Sequence, residues 1–268
     1  MTSTQQIGKA YDATVRWISG RSREAAEHVM PVVSECDDSY LSDVLSFPLA
    51  DDDVSTALDG AVDGTVEEGC VGAGTGMQCF DFKGGIGTSS RTVEHKNGGY
   101  TVGVLALTNH GDRANLRIDG VPVGKELDDD LPDEHTEGSC VVVIATDAPL
   151  LPHQLRRVAQ RAGLGLARGG SYASNGSGEQ MLAFSTANRL PWNVRSGEWE
   201  VRAVADGPKG GPWFLSSLFE ATVEASEEAV ANALFAAETT VGRDGHRLPA
   251  LPVDRTLAIL DRHGRLFV

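Results

Sequence analysis

The stretch Lys125–Gly138 (KELDDDLPDEHTEG) carries seven carboxylates in fourteen residues, contains a proline and shows no apolar period. Such a run cannot bury enough apolar surface to order itself, and it reads as a solvated, mobile loop. It stops at Gly138-Ser139, and the next residues, Cys140–Thr146 (CVVVIAT), read as the most deeply buried strand of the chain. A core strand must therefore begin where a charged loop ends, with no intervening cap or linker. The same junction divides the charge: residues 1–138 hold 10 basic and 25 acidic side chains, residues 139–268 hold 13 of each.

The net charge of -15 argues against nucleic acid and anionic membrane surfaces as partners, because both reward Lys and Arg. The longest clean apolar run, Cys140–Ala145, is far too short to span a bilayer, and MTSTQQIGKAYD lacks a basic-then-apolar leader. A cytoplasmic protein is expected. Cys36, Cys70, Cys79 and Cys140 show no CxxC spacing and read as reduced, mostly buried thiols. The seven histidines show no paired ligand spacing, so no metal is expected. GAGTG at Gly72–Gly76 is not followed by Lys-Ser/Thr and completes no dinucleotide fingerprint; it reads as backbone forming a pocket wall, and no cofactor is expected.

Apolar spacings of three and four predict helices over Ile7–Ile18, over Asp53–Ala61 behind an acidic start, after Pro152 to Leu166, and over Glu227–Ala237. Strands are predicted over Val29–Glu35, Tyr100–Leu107, Cys140–Thr146 and Met181–Ala187. Cys70–Gly87 and Gly170–Gly178 read as glycine turns, and Leu248–Val268 as a short strand and a turn. Buried strands mixed with amphipathic helices give an α/β layered architecture.

A cut between Gly138 and Ser139 would leave Ser139 as an N-terminal residue on a rigid strand, with a hydroxyl and a free amine. That amine, with an ordinary pKa near 7.7–8.0, could serve as general base for its own hydroxyl. Taken alone, the dipeptide reads as an ordinary serine leading a strand after a loop glycine.

At this point the sequence resembles the self-processing L-aminopeptidase/D-amino-acid esterase-amidases and their beta-peptidyl aminopeptidase relatives. The resemblance is carried by GTGM (74–77), FKGGIGTSSR (82–91), GGYTVGVL (98–105), NHG (109–111), GVPVG (120–124), VIATDAPLLPHQL (143–155), SNGSGE (174–179), FSTAN (184–188) and LFEATVEASEEAVAN (218–232). It implies a four-layer alpha-beta-beta-alpha sandwich of N-terminal-nucleophile type, a single domain over 1–268. It also implies autoproteolysis between 138 and 139 into two subunits that stay together, assembled as a tetramer of such pairs. Ser139 matches the nucleophile, Asn109 the oxyanion-hole side chain, Ser177 and Glu179 the pair that orders the nucleophile's hydroxyl and amine, and Tyr40 a donor near the entrance of the active site. An exopeptidase also needs a carboxylate for the substrate's ammonium group, for which Asp38 and Glu35 are candidates.

Members of that family normally carry a further N-terminal region before the segment that Thr2–Gly8 resembles, and the chain is read as lacking it. Two functions from different classes are compatible with these residues. One is a serine aminopeptidase/amidase acting through an acyl-enzyme on small peptides, amides or esters. The other is a catalytically silent relative that serves as a binding or assembly partner, or needs a separate N-terminal half.

Overall fold

The valine-rich run after Ser139 is the strand around which the rest of the chain is laid. A computed structural model describes residues 2–94, 98–133, 138–189, 197–206 and 214–266. In chain order its elements are β1 (Thr2–Ser3), α1 (Ile7–Ser19), α2 (Arg23–Ala26), β2 (Glu35–Cys36), α3 (Asp51–Asp59), β3 (Gln78–Cys79), β4 (Phe82–Lys83), β5 (Gly85–Val93), β6 (Tyr100–Asn109), β7 (Ser139–Thr146), α4 (Pro152–Arg168), β8 (Gly178–Ser185), α5 (Phe214–Ala236), β9 (Thr240–Val241), β10 (Arg247–Leu248) and α6 (Val253–Arg262).

The main sheet runs β5-β6-β7-β8, antiparallel across the first two pairings and parallel across β7–β8, where α4 makes the crossover. Its residues alternate between faces. Val102, Val104 and Ala106 of β6 and Cys140, Val142 and Ile144 of β7 pack with Val158, Ala162, Leu218, Ala225 and Ala229 of α4 and α5 into the larger core. Gly87 lets α5 come this close, since a Cβ there would lie 1.9 Å from the Ala229 carbonyl oxygen. The opposite face places Leu107 and Val141 against Cys36, Met77 and Ile86, a smaller core closed by β2 and the Gly72–Gly76 turn. Short pairs β1–β2, β3–β4 and β9–β10 lie outside the main sheet.

Most predicted elements are present, with corrections that have physical reasons. Of the predicted Val29–Glu35 strand only Glu35 is ladder-paired, the pairing running on to Cys36; Met30 and Val32 are 81% and 74% exposed. The last long helix begins at Phe214 rather than Glu227, because its first half is buried around much of its circumference and shows no single apolar stripe. The tail keeps a short strand that ends at Leu248, as β10, but beyond it forms the helix α6 where only a turn is expected. The acidic loop is not simply solvated. Leu127 is fully buried, Arg113 donates to the carbonyls of Leu127 (2.7 Å) and Asp129 (3.1 Å), and Asp129, Asp130 and Glu126 pair with Arg255, Arg247 and Arg262. Residues 134–137 of that loop lie outside the described residues. The four cysteines are free; Cys36, Cys79 and Cys140 are buried and Cys70 is half-buried. Among the described residues no helix is long and apolar enough to cross a membrane.

Candidate active site

Ser139 opens β7, is 9% exposed, and stands in register between Asn109 on β6 and Gly178 on β8. Directly opposed residues project from the same face, so the Ser139 and Asn109 side chains share the face away from α4 and α5. The Asn109 amide is fixed at both ends: its Oδ1 accepts from the Gln78 N–H at 2.8 Å, and its Nδ2 donates to the Asp37 carbonyl at 2.9 Å. One Nδ2 hydrogen is thus used for orientation, and a second remains in the amide plane.

Ser177 donates to Glu179 Oε1 at 2.6 Å, and these two residues bracket Gly178. Glu179 itself is in register with Cys140, so the pair is delivered to the first two residues of β7. The Gly178 N–H donates to the carbonyl of Gly138 at 3.3 Å. Gly138 in turn lies so close to β6 that a Cβ would fall 1.9 Å from the Asn109 carbonyl oxygen.

Asp38 lies beside this centre, next in sequence to the carbonyl that holds Asn109. Its Oδ1 is buried with no hydrogen-bond partner among the described residues, and burial raises its carboxyl pKa. Gly76 packs against it: a Cβ there would sit 2.6 Å from Asp38 Cβ. The turn containing Gly76 is anchored from within by Lys83, whose fully buried ammonium donates to the carbonyls of Gly74 (2.7 Å) and Gly84 (2.8 Å); burial lowers its pKa to about 8. Glu35 is differently placed, accepting from Thr4 and from Gln180 (3.3 Å), which ties β2 to β1 and β8. Tyr40 is buried, its ring 4.6 Å from that of His246.

Sequence reasoning missed several contributors. Cys36 reads as an ordinary buried thiol, yet its side chain meets the Ser139 hydroxyl; burial pushes the thiol up to about 12, a contact with Ser139 pulling the other way. Gln78 and the Asp37 carbonyl, which orient Asn109, act through backbone groups and leave no residue-type signal. His110 is 2% exposed, and its ring nitrogens have no hydrogen-bond partner among the described residues. Among the described residues no cluster of three or more His, Cys, Asp or Glu could hold a metal ion.

The fold that carries this site, a four-stranded sheet backed by α4 and α5, is that of hydrolases of the N-terminal-nucleophile type, as solved relatives show. The l-aminopeptidase d-ala-esterase/amidase of Ochrobactrum anthropi, a variant of the Ntn hydrolase fold, superposes with a TM-score of 0.91 at 42% identity, covering 99% of this chain and 73% of that one. The beta-aminopeptidase of Burkholderia sp. gives 0.87 at 42% identity, with 98% and 72% covered. The beta-peptidyl aminopeptidase BapA of Sphingosinicella microcystinivorans is 42% identical over 281 residues, 99% of this chain and 69% of its own. Residues 1–248 match peptidase family S58, and the chain belongs to that family.

Proposed function

We propose that this chain is a self-activating serine aminopeptidase/amidase that removes N-terminal residues from small peptides, amides or esters. The observation that carries the reading is the placement of Ser139, at the first position of β7, between the fixed Asn109 amide and the Ser177–Glu179 pair around Gly178. Breaking the Gly138–Ser139 bond turns the Ser139 nitrogen from an amide into an amine, which takes the hydroxyl proton as Oγ attacks the substrate carbonyl. The free Asn109 Nδ2 hydrogen stabilises the oxyanion. The amine then protonates the leaving group, and water attacks the acyl-enzyme ester, releasing the acyl group as a carboxylic acid and restoring the Ser139 hydroxyl. Asp38, with an unpartnered buried oxygen, receives the substrate's ammonium group; a desolvated carboxylate gains more from that pairing than one already satisfied, which favours it over Glu35.

Relatives named for beta-peptides and for L-amino-acid and D-alanine substrates support a free amine next to the scissile carbonyl, without choosing its geometry. The tetramer of processed pairs belongs to the same reading and is measured by light scattering. Denaturing mass spectrometry tests the core of it: two chains, the second beginning at Ser139, are expected. A second reading, a silent binding or assembly partner, is favoured by Leu182 and Phe184, 41% and 43% exposed on β8 beside Val143 and Ala145 on the face that carries Ser139. A chain that stays intact and inert through long incubation supports that second reading.

A further inference from the structure

We propose that the backbone N–H of Gly178 is a catalytic group in the cleavage of the Gly138–Ser139 bond, holding the negative charge that develops on the Gly138 carbonyl oxygen. The inference rests on the self-cleavage reading and concerns a group that no side-chain comparison would single out. It stands on the local packing of the scissile peptide.

The Gly138 carbonyl accepts a hydrogen bond from Gly178 N–H at 3.3 Å, and among the described residues no other backbone donor reaches that oxygen. On its other side Gly138 is wedged against β6, where a Cβ would fall 1.9 Å from the Asn109 oxygen, 2.7 Å from the Asn109 carbonyl carbon and 2.9 Å from His110 Cα. The scissile unit is thus held between two strands, its oxygen turned to β8. The donor is rigid as well: the Ser177 N–H is bonded to the Ser174 carbonyl at 2.9 Å, Ser177 Oγ to Glu179 at 2.6 Å, and from Gly178 onward β8 is laddered to β7.

The chemistry needs such a donor. Ser139 Oγ bonds to the Gly138 carbonyl carbon and its hydroxyl proton passes to the Ser139 nitrogen. The C–N bond breaks, leaving an ester between Gly138 and Ser139 Oγ, which water hydrolyses to a Gly138 carboxylate and a free Ser139 hydroxyl and amine. In the tetrahedral intermediate the charge sits on the oxygen that Gly178 faces. A contact of 3.3 Å is at the long end for a neutral carbonyl and tightens onto an anion, so the donor favours the intermediate over the resting peptide.

The test replaces residue 178 with glycolic acid by semisynthesis, exchanging one amide for an ester and deleting only the N–H. Mass spectrometry then tracks the appearance of the chain starting at Ser139. Cleavage about 10²- to 10³-fold slower than wild type is expected, the usual effect of losing one oxyanion donor. The same exchange at Leu182, in the same strand and of the same parity, leaves the rate within a few-fold. Wild-type cleavage in the residue-178 ester overturns the proposal and spares the self-cleavage reading. A wild-type chain that never cuts overturns both. Hydrogen exchange at Gly178 in the Ser139→Ala protein decides independently of how well the ester folds: slow exchange supports the contact, and exchange at the rate of an open amide refutes it.

Discussion

Ser139 and Asn109 are register partners at the same end of β7 and β6, and the Asn109 amide facing Ser139 is clamped by Gln78 and Asp37 before any substrate arrives. Preorganisation of this kind is what makes an amide useful to a developing oxyanion, because no reorientation is needed at the moment of reaction. Asn109→Ala is expected to lower kcat by about 10²- to 10³-fold, with a much smaller change in KM. Steady-state kinetics with an amino-acid amide would show it, and an effect confined to KM would remove Asn109 from the oxyanion role.

On the proposed function, Ser139→Ala deletes the oxygen that would attack in both self-cleavage and hydrolysis. One uncut polypeptide of full mass and no turnover is expected. Hydrolysis at the wild-type rate by the variant ends the nucleophile assignment.

Asp38→Asn keeps the shape and removes the charge. Substrates with a free amine should show a KM at least about tenfold higher, since a charge-assisted contact is lost, whereas their N-acetylated counterparts should change little. Burial raises the Asp38 carboxyl pKa, so in the wild type ammonium binding weakens on acidification earlier than an ordinary carboxylate would allow. That acid limb of the KM profile should vanish in the variant.

His110 supplies a pH dependence of folding. Burial lowers its pKa from 6.5 to about 4. As pH falls below 6.5 the unfolded chain takes up this proton and the folded chain does not, so stability drops until about pH 4 and then levels, a loss of about 3 kcal/mol at most from this group. Urea midpoints measured from about pH 7 to 4 should show the decline, and His110→Leu should flatten its share.

Thiol chemistry gives a further check. Cys36 and Cys79 are buried with pKa values pushed up to about 12, and burial drives Cys140 well above the ordinary thiol range, so their thiolates are scarce at neutral pH. Native protein should give a single rapid adduct with a thiol reagent, at Cys70, and four after denaturation.

The parts of this architecture visible in the sequence are those whose environment imposes a simple pattern. Cys140–Thr146 is buried on its helix face and at least half-buried on the other, and reads as a continuous apolar run; α4 buries one stripe and reads as periodic, whereas the periodic stripe of α1 stays exposed or half-buried, with Ala13 alone buried. The first half of α5 escapes such a reading because sheet and α4 enclose it, and α6 is hidden in a tail too short to show more than a few turns of pattern. At the site, Ser139, Asn109, Ser177 and Glu179 are legible through the family's motifs, with Ser139 also marked by the break in composition. The Gly178 amide, the Asp37 carbonyl and the Gln78 amide are not, since every residue type offers main-chain groups of this kind. The contact of Cys36 with Ser139 depends on two residues brought together from distant parts of the chain.

The anchoring of Leu127 beneath Arg113 fixes where a chain broken after Gly138 would stay attached. The hold extends past Leu127, since the Asp129 carbonyl accepts from Arg113 and the Asp129 and Asp130 carboxylates pair with Arg255 and Arg247, so a chain cut there would stay joined to the body of the fold through Asp130.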